Sequence, residues 1–443
     1  MSELEYDAVP IPALDAYYDQ TRKEFLVRDN AGGWVPVNET ALKRMLRQRG
    51  FDTRPRRGEV VSELDAKLID IQTGCNVQYA GPVAGYHAGL YETPEARFLV
   101  TQSPTIIPAV PGPWDMLCGI LEGMLGALQL VFLCSWLKCA RAALVGRKFT
   151  PGQALAIAGP KDSGKSLFQN LITLALGGRS ARPYQFMSGQ TPFNAHIFGA
   201  EHLMIEDESP LTDHKARRAL GAMVKAMTAN IGQSCHRKGA TPITLTPFWR
   251  LTITLNDEPE NLMVLPPLDE SLEDKIIILK AEHRLMPMPT ATGDARQAFW
   301  NTLMAELPGF LAHIENFVVP PELVSQRFGV AHYHHPELLA KLDDLAPEFK
   351  LLSIIENQLL VHRVEWRGRA GDLEREITDD TCPYCHEARK LLSWPTACGT
   401  YLGRLRRRYP ARIQYAQVGE DRERVWTIYS RTKNTLNTLI TPL

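Results

Sequence analysis

The chain is poor in cysteine, in net charge and in long apolar runs, and each shortage removes a class of protein. Its eight Cys in 443 residues are irregularly spaced. That is no disulfide scaffold, and it reads as reduced, mostly buried thiols in a cytoplasmic protein. Lys and Arg number 49 against 50 Asp and Glu, for a net charge of −1. Such a chain is no histone-like polycation, so any nucleic-acid contact must come from local patches. The longest apolar stretch, GMLGALQLVFLCSWL at 123–137, contains Gln129 and is flanked by Glu122 and Lys138. It falls short of the roughly 20 residues a bilayer requires, which predicts a buried core helix and no membrane partner. The acidic opening, MSELEYDAVPIPALDAYYD, has neither the positive nor the apolar region of a secretory leader. No internal repeat and no long low-complexity tract is visible.

What remains is ordinary globular composition, 44% hydrophobic and 22% charged. At this length it predicts two or three domains. Pro and Gly clusters and changes of period divide it into 1–112, 113–150, 151–290, 291–365 and 366–443. In the first segment EFLVRD and GWVPVN predict two strands across a turn, followed by a helix over ETALKRMLRQRG with Asn38 or Thr40 as cap and Gly50 as stop. Seven cations (Lys43, Arg44, Arg47, Arg49, Arg54, Arg56 and Arg57) make a candidate nucleic-acid patch. Residues 60–112 read as short strands and turns, and 113–150 as a helical collar. Segments 295–318 and 336–362 are helical by period. His332, His334 and His335 lie in a loop-like stretch without accompanying ligands, which favours a polar exposed loop over a metal site.

From 370 the chain predicts three short helices and a two-stranded ribbon, a winged-helix outline. Its third helix carries Arg404, Arg406, Arg407 and Arg408, with Arg412 beyond, and residues 401–443 hold nine Lys and Arg against three Asp and Glu. Cys382, Cys385 and His386 invite a zinc reading, but a structural site wants four ligands and only Cys398 is near in sequence.

The sharpest signal is ALAIAGPKDSGKSLFQNLITLAL at 154–176. A short apolar strand runs into Gly159, Pro160, Lys161, Asp162, Ser163, Gly164, Lys165 and Ser166, which fit G-x4-G-K-[ST], and an amphipathic helix follows. Such a loop turns backbone N–H groups toward phosphates at a helix N-terminus. Lys165 supplies a point charge for ATP phosphates, and Ser166 a hydroxyl for Mg²⁺. A second apolar strand, Leu203-Met204-Ile205, ends in Glu206, Asp207 and Glu208. Asp207 is the candidate Mg²⁺ carboxylate, and Glu208 or Glu206 the residue that orients attacking water. A third strand, Trp249–Leu255, ends in Asn256, a candidate γ-phosphate sensor. Alternating strand and helix over 152–290 predicts a mainly parallel sheet.

With these three elements in place, the chain resembles the superfamily 3 helicases of viruses, phages and plasmids, and most of all the helicase part of the phage and prophage primase–helicase family. The 98 residues from Gly159 to Asn256 match that family's compact spacing. SGQTPFNAHIFGAEHLMIEDE, with Phe193-Asn194 before the acidic strand, and AMVKAMTANIGQSCHRKGATPITLTPFWRLTITLN carry the likeness further. The resemblance implies an α/β AAA+ P-loop ATPase core, with a small α+β N-terminal region and a C-terminal winged-helix domain. It implies a homo-hexameric ring acting on single- and double-stranded DNA in a bacterial cell or phage-infected host, and a separate primase as a possible partner. It also places Lys225 at a usual basic position, and puts Arg237 and Lys238 on a DNA-gripping hairpin. Where the family sets an arginine finger this chain has Lys275, with Arg250 and Arg284 as alternatives. Two rivals stand beside this reading: a nucleotide-gated DNA-binding initiator or regulator without unwinding, and a metabolic P-loop kinase.

Overall fold

The computed structural model describes residues 14–94, 96–206, 208–209, 214–419 and 423–430. The chain divides into two compact units, Met1–His335 and Pro336–Leu443. That single division at 335/336 differs from the boundaries expected at 290/291 and 365/366.

The first unit opens with strands β1 (Ala16–Asp19), β2 (Glu24–Arg28) and β3 (Trp34–Val37). Asn38 then caps helix α1 (Glu39–Gln48), its Oδ1 accepting from the N–H of Ala41 at 2.8 Å. Helix α2 (Glu63–Gly74) follows, capped by Ser62, where strands and turns were expected. Strand β4 (Asn76–Val77) completes a sheet of order β3-β2-β1-β4. Leu42, Leu46, Leu64, Leu68 and Ile71 bury against it. Strands β5 (Tyr79–Gly81), β6 (Gly89–Glu92) and β7 (Arg97–Val100) form a second small sheet.

Helix α3 (Asp115–Val145) fills the helical collar expected at 113–150 and is kinked at Gly126, which takes φ +72°. By length and composition it is sufficient to cross a membrane. Here Leu117, Leu121, Leu125, Leu133, Trp136, Leu137 and Leu144 are buried in the main core of this unit, while Leu128 is exposed. The helix also carries Arg141, 1% exposed, which bonds Glu315, the carbonyl of Ala175 at 2.7 Å and that of Ile107 at 3.1 Å. A free guanidinium in lipid is costly, whereas here every arm is used.

The central sheet comes next. Its elements in chain order are β8 (Ala154–Ala158), α4 (Lys165–Ala175), β9 (Ser180–Ala181), α5 (Tyr184–Met187), β10 (His202–Glu206) and α6 (His214–Ala229). A separate antiparallel hairpin, β11 (Gln233–Cys235) and β12 (Ile243–Leu245), precedes β13 (Arg250–Leu255), α7 (Pro259–Leu262), β14 (Ile276–Lys280) and α8 (Gly293–Asn316). The sheet order is β14-β8-β13-β10-β9, all parallel. Residues 154–158 and 250–255 are buried throughout, as strands covered on both faces must be. Helices α3 and α8 share a core with β8 and β14. So α8, expected in a separate region, belongs with the sheet. The histidine stretch is not an exposed loop either. Ile278 and His334 form a parallel bridge, so this segment lines the β14 edge.

The second unit holds α9 (Pro336–Leu345), α10 (Pro347–Gln358), β15 (Glu365–Gly368), α11 (Ala370–Thr378), α12 (Cys385–Leu391), α13 (Ala397–Arg408), β16 (Ile413–Val418) and β17 (Glu423–Tyr429). Its sheet is antiparallel, of order β15-β17-β16. Trp366, Tyr401, Leu405 and Trp426 centre its core. Among the described residues no group of three or more His, Cys, Asp or Glu is placed to hold a metal ion. Cys398 is buried, and burial pushes its thiol up to about 12, so it stays protonated and packs as an apolar residue.

Arg141→Leu should destabilise the first unit by about 3 kcal/mol or more, because two buried carbonyls and Glu315 lose their donor. Denaturant unfolding checks this; an unchanged midpoint would remove Arg141 as a structural tie.

Candidate nucleotide site and nucleic-acid surfaces

The parallel order brings the C-terminal ends of β8, β13 and β10 to one edge. Ala158 pairs with Leu255, and Thr254 with Glu206. The phosphate loop leaves β8, Asn256 follows β13, and Glu206 ends β10. With strands about 4.8 Å apart, the outer two tips lie about 10 Å apart with Asn256 between them. Asp207 lies outside the described residues.

The loop is held tightly. A Cβ at Gly159 would fall 2.4 Å from the carbonyl oxygen of Ala281, so no side chain fits there. Gly164 takes φ +88° as it enters α4, and Asp162 takes φ +61°. Lys165 turns back over the loop, its Nζ donating to the carbonyls of Gly159 at 2.9 Å and Pro160 at 2.7 Å and to Ser163 Oγ at 3.3 Å. Ser166, Lys161 and Asp162 are exposed at the mouth, and Ser163 is buried. An ammonium, a hydroxyl in the first turn and a helix N-terminus are a donor set suited to a polyphosphate with its divalent cation.

The two described acids differ. Glu206 pairs with Arg182 at 3.2 Å, while Glu208 is half-buried beside Tyr184, whose phenol is raised by burial and then by that carboxylate. The finger candidates sort by burial. Lys275 is 3% exposed and paired with Asp274 of its own chain, so it cannot reach a neighbouring subunit as it stands. Arg250 is also buried, and burial lowers its guanidinium to about 10. Arg284 is exposed, and its stem lies over Gly123, where a Cβ would meet its Cδ at 3.2 Å. Met124, which follows Gly123, and Met286, two residues after Arg284, each come within 3.9 Å of a Cβ built at Gly164.

The chain shares its fold with the NrS-1 C-terminal region. An apo A-form structure of that region matches at TM-score 0.54 and 11% identity, covering 94% of this chain and 96% of the other. The apo structure of its residues 305–718 matches at TM-score 0.53 and 10% identity with the same coverage. A JCV helicase structure aligns at TM-score 0.25 and 14% identity over 55% of this chain and 72% of the other, too low a score to argue from. A model for DUF5906, a family of unknown function, matches residues 157–271. No curated protein matches.

The candidate DNA-binding cations are split by their partners. Arg237 is an internal clamp and is not free at the hairpin tip. It pairs with Asp19, itself fully buried, at 3.3 Å, donates to the carbonyl of Ala80 at 3.3 Å and stacks on Tyr79 at 4.8 Å. Lys238 beside it is exposed. On α13, Arg404 pairs with Glu348 at 3.3 Å and Arg408 with Asp343, and beyond the helix buried Arg412 pairs with Glu356. These arginines bind α13 and β16 to α9 and α10. Arg406 and Arg407 are exposed. Arg406 stacks on Tyr415 at 4.3 Å, and exposed Arg424, which the sequence reading did not select, stacks on the same ring at 5.1 Å. In the N-terminal patch Arg44, Arg47, Arg54 and Arg57 are exposed.

Arg237→Ala should cost about 3–5 kcal/mol of stability, the usual consequence of stranding a buried carboxylate, here Asp19. Lys238→Ala should leave the thermal midpoint unchanged. Equal midpoints for the two variants would remove the clamp.

Proposed function

We propose that this chain is an ATP-dependent DNA helicase of the superfamily 3 type, a ring-forming AAA+ motor serving replication of a phage or other mobile element. One observation carries the reading: the register that sets the phosphate loop, Asn256 and the acidic β10 tip on one sheet edge. Lys165 and the loop N–H groups take the ATP phosphates. Ser166 and Asp207 hold Mg²⁺, which when bound neutralises charge developing on the phosphates. Glu208 orients water, because Glu206 is already engaged by Arg182. Asn256 senses the γ-phosphate. Arg284, exposed where Lys275 is buried, replaces Lys275 as the candidate that would complete a neighbouring subunit's site.

The second unit supports a DNA-loading role. We read the order α10, β15, α11, α12, α13, β16, β17 as a winged helix in which α13 would be the recognition helix. Among the candidate cations, Lys238, Arg406 and Arg407 are exposed and would meet DNA phosphates. Hydrolysis would move the hairpin with Lys238 along one strand, and a separate primase would supply primers.

Strand displacement on a forked duplex tests the reading. The unmodified chain should unwind it with ATP and Mg²⁺, and single-stranded DNA should raise its ATPase rate. Lys165→Ala should lose at least about 100-fold in turnover, the scale expected when a phosphate-neutralising group is removed, and keep DNA binding. Nucleotide-dependent DNA binding with no unwinding and no stimulation would instead identify an initiator or regulator. Phosphate transfer to a small acceptor would identify a kinase.

A further inference from the structure

We propose that Gln169 is a positioning residue that ties the phosphate-binding helix to both strand tips at which hydrolysis is organised. The proposal rests on the ATPase reading above and adds a part that the motifs do not contain. Gln169 lies one turn after Lys165 on α4 and is fully buried. Its Nε2 donates to Thr252 Oγ1 at 2.9 Å and reaches the carbonyl of Ile205 at 3.3 Å. Its Oε1 accepts from Thr254 Oγ1 at 3.2 Å. Ile205 immediately precedes the acidic tip of β10, and Thr254 stands two residues before Asn256.

A second layer closes the circuit. His202 contacts Thr252 Oγ1 through Nε2 at 2.8 Å and Thr173 Oγ1 through Nδ1 at 2.7 Å. Its environment is apolar enough to push the imidazole down to about 3, so the ring is neutral and has one donor and one acceptor. The donors then balance. Thr173 gives its hydroxyl proton to the carbonyl of Gln169 at 3.0 Å. It therefore accepts from Nδ1–H, Thr252 donates to Nε2, and Thr252 accepts from the Gln169 amide. Every polar group in the circuit is satisfied, and α4 is joined to β10 and β13 at two levels.

Apolar residues would bury as well between a helix and a parallel sheet. A satisfied polar network here adds direction more than stability. A shift of the α4 N-terminus on phosphate binding is passed through the Gln169 amide to the residues before Glu206 and Asn256. Placement errors near 1 Å at such groups cost turnover steeply.

The test compares the full-length chain with Gln169→Leu and with Gln169→Leu/Thr252→Val/Thr254→Val. It measures ATP turnover by phosphate release, affinity for a fluorescent ATP analogue, and thermal midpoint. Gln169→Leu should keep nucleotide affinity within about threefold while turnover falls roughly 10- to 100-fold, the pattern of a lost transition-state arrangement. The triple variant removes the polar partners together, so its thermal midpoint should recover. Its turnover should stay low. Unchanged turnover in Gln169→Leu, or turnover that recovers with the midpoint in the triple variant, would overturn the proposal by showing a purely structural network. Absence of ATP turnover in the unmodified chain is a separate result that removes the ATPase reading, and this proposal with it.

Discussion

The site depends on the hydrogen-bond register of β13 between β8 and β10. Strand side chains alternate faces, so a slip of one residue would turn every side chain on β13 to the opposite face and carry Asn256 out of line with the phosphate loop. Burial on both faces resists that slip. Leu251, Ile253 and Leu255 point one way, while Thr252 and Thr254 point the other and meet Gln169 and His202. A slipped strand would bury two hydroxyls among apolar groups and place leucines against an amide. The polar residues of the strand interior thus specify the register that its apolar residues stabilise. Outside the sheet, Ala281 presses on Gly159, and Gln129 bonds both the N–H and the carbonyl of Lys280, so the phosphate loop rests on a ledge made by α3 and the end of β14.

Arginine in this chain divides between internal and external work. Arg141, Arg179, Arg237 and Arg412 are each engaged by a carboxylate and by at least one backbone carbonyl. A planar fork with five donors suits that task better than a lysine ammonium, and its weaker hydration makes burial less costly. Arg406 and Arg424 instead both stack on Tyr415 and are exposed. A count of cations along α13 merges the two groups. Charge alone therefore overstates the free cationic surface of α13, and the acidic residues of α9 and α10 account for the difference.

Local features were legible in the sequence. The phosphate loop, the Asn38 cap, the three apolar strands and the ribbon 413–429 all rest on short-range patterns: a glycine spacing, a capping side chain, a run of β-branched residues. Even the missed α2 carried its signal, with Ser62 three residues before Asp65 and Leu64, Leu68 and Ile71 at helical spacing. Long-range relations were not legible. Nothing near Lys275 shows that it is buried, because its cover comes from tertiary packing. Nothing near Arg237 shows that Asp19, more than two hundred residues earlier, waits for it. The helical collar over 113–150 was legible as α3, but the burial of Arg141 was not, because its partners Ile107, Ala175 and Glu315 lie far away in sequence.

The hairpin shows what such long-range ties require of the proposed motor. Asn194 holds one side of β11, accepting from the N–H of His236 at 2.7 Å and donating to the carbonyl of Ser234 at 2.8 Å. Arg237 holds the tip to Asp19 and Ala80, in the two N-terminal sheets. A hairpin anchored at both places cannot swing as an independent finger. If it moves with the nucleotide cycle, it does so as one body with β1 and β5, or only after a buried ion pair opens, which is costly in a low-dielectric setting. The exposed Lys238 is then carried by the N-terminal sheets as much as by the ATPase core, and the cations around Arg44 and Arg54 in the same N-terminal region would move with it.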